Sequence, residues 1–384
     1  MAITDKKTGP WGLDQVYNKI NQGSIWEYSS SLKNLFIWGH NNLGQLGQNN
    51  LTQYSSPTQI PGSTWRSVVS ASYADACAAT KTDGTLWNWG ADWMGQLGHN
   101  ADTVHKSSPV QVPGTTWSDK FNIAYQTMSA IKTDSTLWVW GSNVQGGLGQ
   151  NSRTQYSSPV QIPGTTWDNV SSDLYGNLGI KTDNTLWSWG FNSQGQLAQN
   201  DRTARSSPTQ IPGTTWRSVH CGVYQTFATK TDGTLWAWGR NGSGQLGQNE
   251  AGPSLKSSPT QIPGTTWSTT IQSYSSGCAA LKTDGTAWIW GSNSQGSAGQ
   301  NNTSNGYSSP VQIGSGTDWS DICSSQYSTA GLKTDGTLWA WGRNQAHGEL
   351  GLNSAISYSS PVQVPGAWDA IGSRQDGFHG LKLS

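Results

Sequence analysis

The sequence predicts an all-β fold: a seven-bladed β-propeller closed by pairing of its N- and C-terminal strands, with a short, partly helical N-terminal extension. Three observations predict it. First, three markers each recur seven times at spacings of 49 to 52 residues. A Trp-Gly pair closes at Gly39, Gly90, Gly141, Gly190, Gly239, Gly291 and Gly342; a Ser-Ser-Pro-x-Gln segment places proline at Pro57, Pro109, Pro159, Pro208, Pro259, Pro310 and Pro361; a further tryptophan falls at Trp65, Trp117, Trp167, Trp216, Trp267, Trp319 and Trp368. Second, a unit of about 50 residues with several short strands has the size of a propeller blade, and seven lies within the usual range of about four to eight. Third, the ends are complementary. The last unit reaches Leu381-Lys382 but stops before a Thr-Leu-Trp-x-Trp-Gly strand, whereas the first opens with Leu35-Phe36-Ile37-Trp38-Gly39 and no Pro-Gly-Thr-Thr-Trp segment before it. Together they complete one blade and leave no open sheet edge.

Residues 1–34 stand outside the repeat, and residues 35–384 form the propeller domain. In the extension Leu13, Val16, Tyr17 and Ile20 fall at i, i+3, i+4 and i+7, one apolar stripe of a helix over 13–22 that Gly23 ends. A helix of about eleven residues is marginal alone in water, so its stripe needs a cover. That cover is either its own domain or a partner, with Trp11 and Trp26 as flanking anchors.

Within a unit, Lys230 to Gly239 (KTDGTLWAWG) reads as a hairpin tip followed by a strand, because Asp-Gly tolerates positive φ and Thr-Leu-Trp-x-Trp favours β structure. Both tryptophans then face one side of the sheet. The motif recurs from Lys81, Lys132, Lys181, Lys282 and Lys333. One strand follows Trp216, one enters Lys230, one runs from Leu235 to Gly239, and the fourth lies at Pro208 to Ile211 or its counterpart in the next unit. Between the third and fourth comes a Gly-Gln-Leu-Gly-Gln-Asn loop, whose leucine (alanine at Ala298) is placed to plug the gap between blades.

Glycine supplies 47 of 384 residues, well above an average of about 7%, and charged residues make up 11% against a norm of about 25%. A polar chain of this kind needs another source of core, and its 23 tryptophans provide one. Acids and bases balance at 22 each, which argues against a basic face for nucleic acid. No apolar run is long enough to span a membrane. The opening MAITDKKTGPWG has no apolar core and does not read as a secretory signal. Cys77, Cys221, Cys278 and Cys323 lie in four different units without zinc or redox spacing, and read as reduced thiols acting as small hydrophobes.

The unit DGTLWxWGxNxxGQLG, in seven copies over residues 35–384, resembles the regulator of chromosome condensation repeat family. The resemblance implies a seven-bladed propeller, and functions that range over guanine-nucleotide exchange on a small GTPase with chromatin binding, ultraviolet-B sensing, scaffolding and adhesion. Family repeats commonly carry glycine followed by His-Thr before the hairpin; here tyrosine stands in that region, as in VYQTFATK before Thr231. Units of 49 to 52 residues leave no room for the added β-wedge of the exchange factor.

Sites of known chemistry are absent from the pattern. Gly242 to Gly247 matches GxGxxG but opens a loop rather than a helix, so no cofactor is expected. The six histidines share no metal-like spacing, and Asp83, Asp134, Asp183, Asp232, Asp284 and Asp335 recur as turn formers; no enzyme is expected. The segments after each Gly-Gln-Leu-Gly-Gln-Asn loop vary most and form a candidate ligand rim, with Lys106, Arg153, Arg202, Arg205, Glu250 and Lys256 supplying its charge. Trp93, where other units place small or polar residues, is its candidate aromatic contact, sugar stacking included, unless it packs on Met94.

The expected function is a non-enzymatic binding or structural module, a rigid propeller displayed through its N-terminal segment. A bacteriophage virion protein (decoration, fibre or receptor-contacting) fits, as lysis releases virions without signal peptides; its location is then the virion or the extracellular space. Its expected partners are a virion or a homo-oligomer through residues 1–34, and a host surface glycan or receptor. The alternatives are a cytoplasmic exchange-type regulator or scaffold, and a carbohydrate-binding lectin.

Overall fold

The computed structural model describes residues 33–383, apart from 70–74, 101–103, 173, 251, 253, 275, 305, 345–347, 375 and 376. The expected helix over 13–22 and its anchors Trp11, Leu13, Val16, Tyr17, Ile20 and Trp26 lie outside these residues. Among the described residues every regular element is a strand, and the strands form seven four-stranded antiparallel sheets.

In sequence order we number as blades 1 to 6 the sheets over 65–112, 117–161, 167–211, 216–262, 267–312 and 319–367. Blade 7 is composite. Its two inner strands, Ala370–Arg374 and Gly377–Leu383, come from the C-terminus, and its two outer strands, Lys33–Gly39 and Tyr54–Gln59, from the start of the propeller. The seam runs Lys33 opposite Leu383, Leu35 opposite Leu381 and Ile37 opposite His379. The closure expected from the sequence is present.

Blade 4 shows how the unit folds. From the hub outward its strands are Trp216–Cys221, Gln225–Lys230, Leu235–Arg240 and Leu255–Ile262, so the fourth strand is the Pro259 segment rather than that of Pro208. The innermost strands of successive blades contact one another all the way round, which makes the sheets radiate from a central channel. Alternation of strand direction then divides the loops between two faces. The Lys-Thr-Asp hairpins and Pro-Gly-Thr-Thr-Trp connections occupy one, here the hairpin face; the inner turns and the Gly-Gln-Leu-Gly-Gln-Asn loops occupy the other, the turn face.

The tryptophans form the core in threes. Trp236 and Trp238 lie on one side of their strand, as period two requires, and both meet Trp216, with ring centroids 6.4 and 6.0 Å away. Lys230 Nζ sits 4.8 Å from the Trp216 ring and 4.1 Å from the Trp236 ring. Cation–π contacts of this half-exposed kind contribute about 0.5 to 1 kcal/mol each. Lys81, Lys132, Lys181, Lys282 and Lys333 repeat the arrangement. In blade 7 Lys382 covers Trp368 from the C-terminus and Phe36 from the N-terminal strand. Asp232 Oδ1 accepts the Thr234 hydroxyl at 2.7 Å and its amide at 3.0 Å, while Thr234 Oγ1 accepts from Trp236 Nε1 at 2.9 Å. The Thr234 hydroxyl and amide hold this carboxyl below the usual carboxylate range.

Seven indole bonds fasten blade to blade. Trp89, Trp140, Trp189, Trp238, Trp290 and Trp341 each donate Nε1 to a backbone carbonyl of the preceding blade's loop, at Gln45, Gln96, Gly147, Gln196, Gln245 and Ser297, over 2.8 to 3.0 Å. Trp38 donates to Glu349 at 3.2 Å and completes the circuit. The loop leucine lies under the same indole, Leu46 with Trp89 and Leu246 with Trp290, and Ala298 takes that place beside Trp341. The sequence reading of this residue as an interblade plug holds.

The glycine after that leucine is left-handed and touches the indole; a Cβ at Gly98 would come within 2.6 Å of Trp140 Nε1, and one at Gly149 within 3.0 Å of Trp189 Nε1. Blade 3 breaks the rule with Ala198 at φ 57°. Left-handed backbone costs a residue with a Cβ about 1 to 2 kcal/mol. Gly149→Ala is therefore expected to lower stability by about that amount, and Ala198→Gly to raise it by up to about 1 kcal/mol once the freedom of glycine in the unfolded chain is set against it. Urea midpoints of the two variants against the wild type check both signs.

Candidate functional site

The two faces differ in chemistry. On the hairpin face the same short elements return from unit to unit, Lys-Thr-Asp tips and, in four consecutive units, Pro-Gly-Thr-Thr-Trp, exposing mainly small threonines such as Thr115, Thr165 and Thr214. The turn face carries residues found in one or two units only. The position directly after Trp-Gly reads His40, Ala91, Ser142, Phe191, Arg240, Ser292 and Arg343 in turn.

Around the channel mouth these residues join the tyrosines of the inner turns. Phe191 lies between Tyr175 and Tyr224, each ring centroid 6.2 Å away. Burial, with Tyr125 and Tyr224 nearby, pushes the Tyr175 phenol up. All four rings are half-buried, so an aromatic arc spans blades 2 to 4.

The arc ends at a cleft of about 210 Å³ spanning blades 4, 5 and 6. Its floor is Tyr274, 1% exposed, whose hydroxyl donates towards the carbonyls of Trp290 and Ser292 at 3.2 Å each. Burial raises that phenol well above its ordinary value. Ser276, Ser292, Ser294 and Ser297 supply hydroxyls and Gln295 an amide. On the far wall Gln326 Nε2 donates to Tyr327 Oη at 3.0 Å, and the Arg343 guanidinium covers the Tyr327 ring at 4.3 Å while pairing with the buried Glu349 at 3.4 Å. Arg240 closes the near wall. Its amide is tied to the Tyr224 carbonyl at 2.8 Å, its side chain is exposed, and among the described residues no carboxylate lies within 4 Å of it. The cleft thus offers paired donors and acceptors and one positive charge that no carboxylate among the described residues pairs with, a chemistry of recognition.

The rim residues read from sequence are dispersed rather than gathered. Trp93 is 41% exposed on the turn face, with its ring edge-on to His105 at 4.5 Å. Val144, the equivalent residue of the next unit, is 58% exposed. Lys106 begins the outer strand of blade 1, and Arg153 is exposed in the loop of blade 2. Arg202 folds back on the Ser193 carbonyl at 2.7 Å, Arg205 pairs with Asp201 at 2.5 Å, and Lys256 pairs with Glu250 at 3.2 Å. Four of these six charges, Arg202, Arg205, Lys256 and Glu250, are thereby engaged within their own loops. The varied sequence segments drew attention outward, whereas the cleft sits inward; the signal for it was the residue after Trp-Gly, arginine in units 5 and 7 alone.

Comparison with known proteins agrees with the fold. In solved structures the chain is similar to Prp20p from Saccharomyces cerevisiae, at a TM-score of 0.82 and 15% identity over 93% of each chain; that protein was studied for its binding to Gsp1p and histones. It is similar to yeast RCC1 (Prp20) bound by Kap60, at 0.81 and 16% identity over 100% of this chain and 96% of that one. Human WBSCR16 matches at 0.77 and 19% identity over 92% and 99%. A profile described as the RCC1-like domain matches residues 29–314, and one for the regulator of chromosome condensation (RCC1) repeat matches 335–369. With more than half of its length matched by that profile, and the seven-bladed ring in place, the chain belongs to the RCC1-like domain family.

Proposed function

We propose that this protein is a non-catalytic recognition module, held in a larger assembly through residues 1–34, that reads a partner's surface with its turn face. One observation carries the reading: the chain enters the disc on the face opposite the distinctive residues. Lys33 pairs with Leu383 at the site where every other blade has its Lys-Thr-Asp hairpin, so the described chain begins on the hairpin face, and an attachment there would leave the turn face open. Trp93, Val144, the aromatic arc and the Arg240 cleft then point outward. A virion surface protein is the assembly that this geometry suits, and a host surface molecule the corresponding partner.

A second reading, an exchange-type regulator, draws on the yeast Prp20 neighbours, of which Prp20p was studied with Gsp1p. It predicts faster nucleotide release from a small GTPase. Against it, the units hold their 49 to 52 residue spacing and have no added wedge.

The test is an array of glycans and purified surface proteins probed with three forms of the protein: wild type, Trp93→Ala with Phe191→Ala on the turn face, and Thr115→Ala with Thr165→Ala on the hairpin face. Signals lost only in the turn-face variant are the expected result. Equal loss in both variants, or in neither, overturns the one-sided reading.

A further inference from the structure

We propose that the cleft between blades 4, 5 and 6 binds a single carboxylated sugar residue, such as a hexuronic or nonulosonic acid at the end of a glycan; this rests on the turn face being the recognition face. The size fits first: about 210 Å³, open on one side, accommodates one pyranose and leaves its glycosidic bond outside. The charge fits next. Arg240 is the cation that lines the cleft, and among the described residues no carboxylate lies within 4 Å of it, whereas Arg343, behind Tyr327, is paired with Glu349. A guanidinium of this kind accepts a carboxylate through two parallel N–H bonds.

The remaining wall is what distinguishes a sugar from a simple acid. Ser276 and Ser294 with Gln295 and Gln326 each both donate and accept, which matches the hydroxyls of a pyranose and is wasted on a bare carboxylate; Ser297 is buried beneath them, its hydroxyl given to the Ser292 carbonyl. Tyr327 gives a flat apolar wall for C–H groups, and it is held in place: Arg343 covers its ring and Gln326 holds its hydroxyl. An acidic side chain of a protein partner would engage Arg240 and leave the hydroxyls and amides to water.

Titration of the full-length protein with glucuronic acid, N-acetylneuraminic acid, glucose and N-acetylglutamate, followed calorimetrically, tests the assignment. One of the two sugar acids is expected to bind about tenfold or more tightly than both glucose and N-acetylglutamate. Arg240→Gln is expected to remove that preference over glucose, and Gln326→Ala to weaken the sugar acid without affecting N-acetylglutamate; Arg240 is exposed and Gln326 half-buried, and circular dichroism confirms that both variants fold. N-acetylglutamate binding as tightly as the sugar acids would assign the cleft to a protein carboxylate and overturn the proposal. Absence of binding by either sugar acid overturns it as well, and if the array signals are still lost in the Trp93/Phe191 variant, the recognition face survives without this ligand. Array signals indifferent to the turn face would instead remove the reading on which the proposal rests.

Discussion

A chain ending at Arg374, lacking the strand Gly377–Leu383, is expected to lose its cooperative unfolding transition. That strand is the inner neighbour of Lys33–Gly39, and without it the two N-terminal strands have nothing to join. Phe378, His379 and Leu381 are all buried, and Phe378 packs with Trp38 and Trp368. Removing a buried aromatic or leucine costs about 2 to 5 kcal/mol each, so the loss approaches the whole stability of a typical domain, about 5 to 15 kcal/mol. The damage is also topological. Trp38, now unsupported, can no longer hold the Glu349 carbonyl, and the ring opens between blades 6 and 1. Deleting residues 1–32 serves as the control and should leave the transition in place. Scanning calorimetry on both truncations decides; a sharp transition within a few degrees of the wild type in the shorter C-terminal form would refute the closure as a source of stability.

Acid is expected to attack the same seam. His379 is fully buried beside Arg374, which itself bonds the Trp38 carbonyl through Nη2 at 2.6 Å and Nε at 3.2 Å. Burial first, and the Arg374 charge second, push its imidazole down to about 3 from an ordinary 6.5. Its folded value lies below the unfolded one, so its contribution to stability is fully present above pH 6.5. It is lost as pH falls towards 3, because the unfolded chain takes up a proton that the folded one refuses. The slope for such a group is about 1.4 kcal/mol per pH unit. His220, pushed down to about 4 by burial, acts in the same direction. Asp321, raised to about 7 by burial in the inner strand of blade 6, acts in the opposite one, since its stabilising contribution is greatest below 3.8 and is lost as pH rises through 7. The informative measurement is therefore a difference: unfolding free energy of wild type and His379→Gln at pH 7.5, 6.0 and 5.0. The gap between them should narrow, or reverse, as the pH falls. A gap independent of pH would mean that His379 is not the group concerned.

Much of the architecture was legible because the physics that builds it is local and repeated. Asp-Gly with Thr-Leu-Trp-x-Trp states a hairpin and its strand, and the unmatched halves at Leu35 and Leu381 state how the ring shuts. The interblade role of the loop leucine followed from its being the apolar residue of a glycine-rich turn. The indole bonds to carbonyls at Gln45 or Gln196 were not legible, since a backbone acceptor leaves no mark in sequence. The cleft was missed for a related reason. Arg240, Tyr274 and Tyr327 come from three units and lie up to 87 positions apart, and only the assembled ring brings them together. Charges were visible in the variable loops, but whether Arg205 meets a ligand or Asp201 depends on the fold of its own loop.

The pairing of Lys33 with Leu383 gives the disc a property that a linear reading of the polypeptide hides. A circle of equivalent sectors has no privileged starting point, so bridging 383 to 33 and cutting instead at any Lys-Thr-Asp tip yields the same object with its ends moved around the perimeter. Each such permutation moves the chain ends relative to the Arg240 cleft by multiples of one sector while keeping them on the hairpin face. Orientation of whatever the module touches is then set by where the chain is cut, a degree of freedom available to evolution and to the engineer without disturbing a single indole.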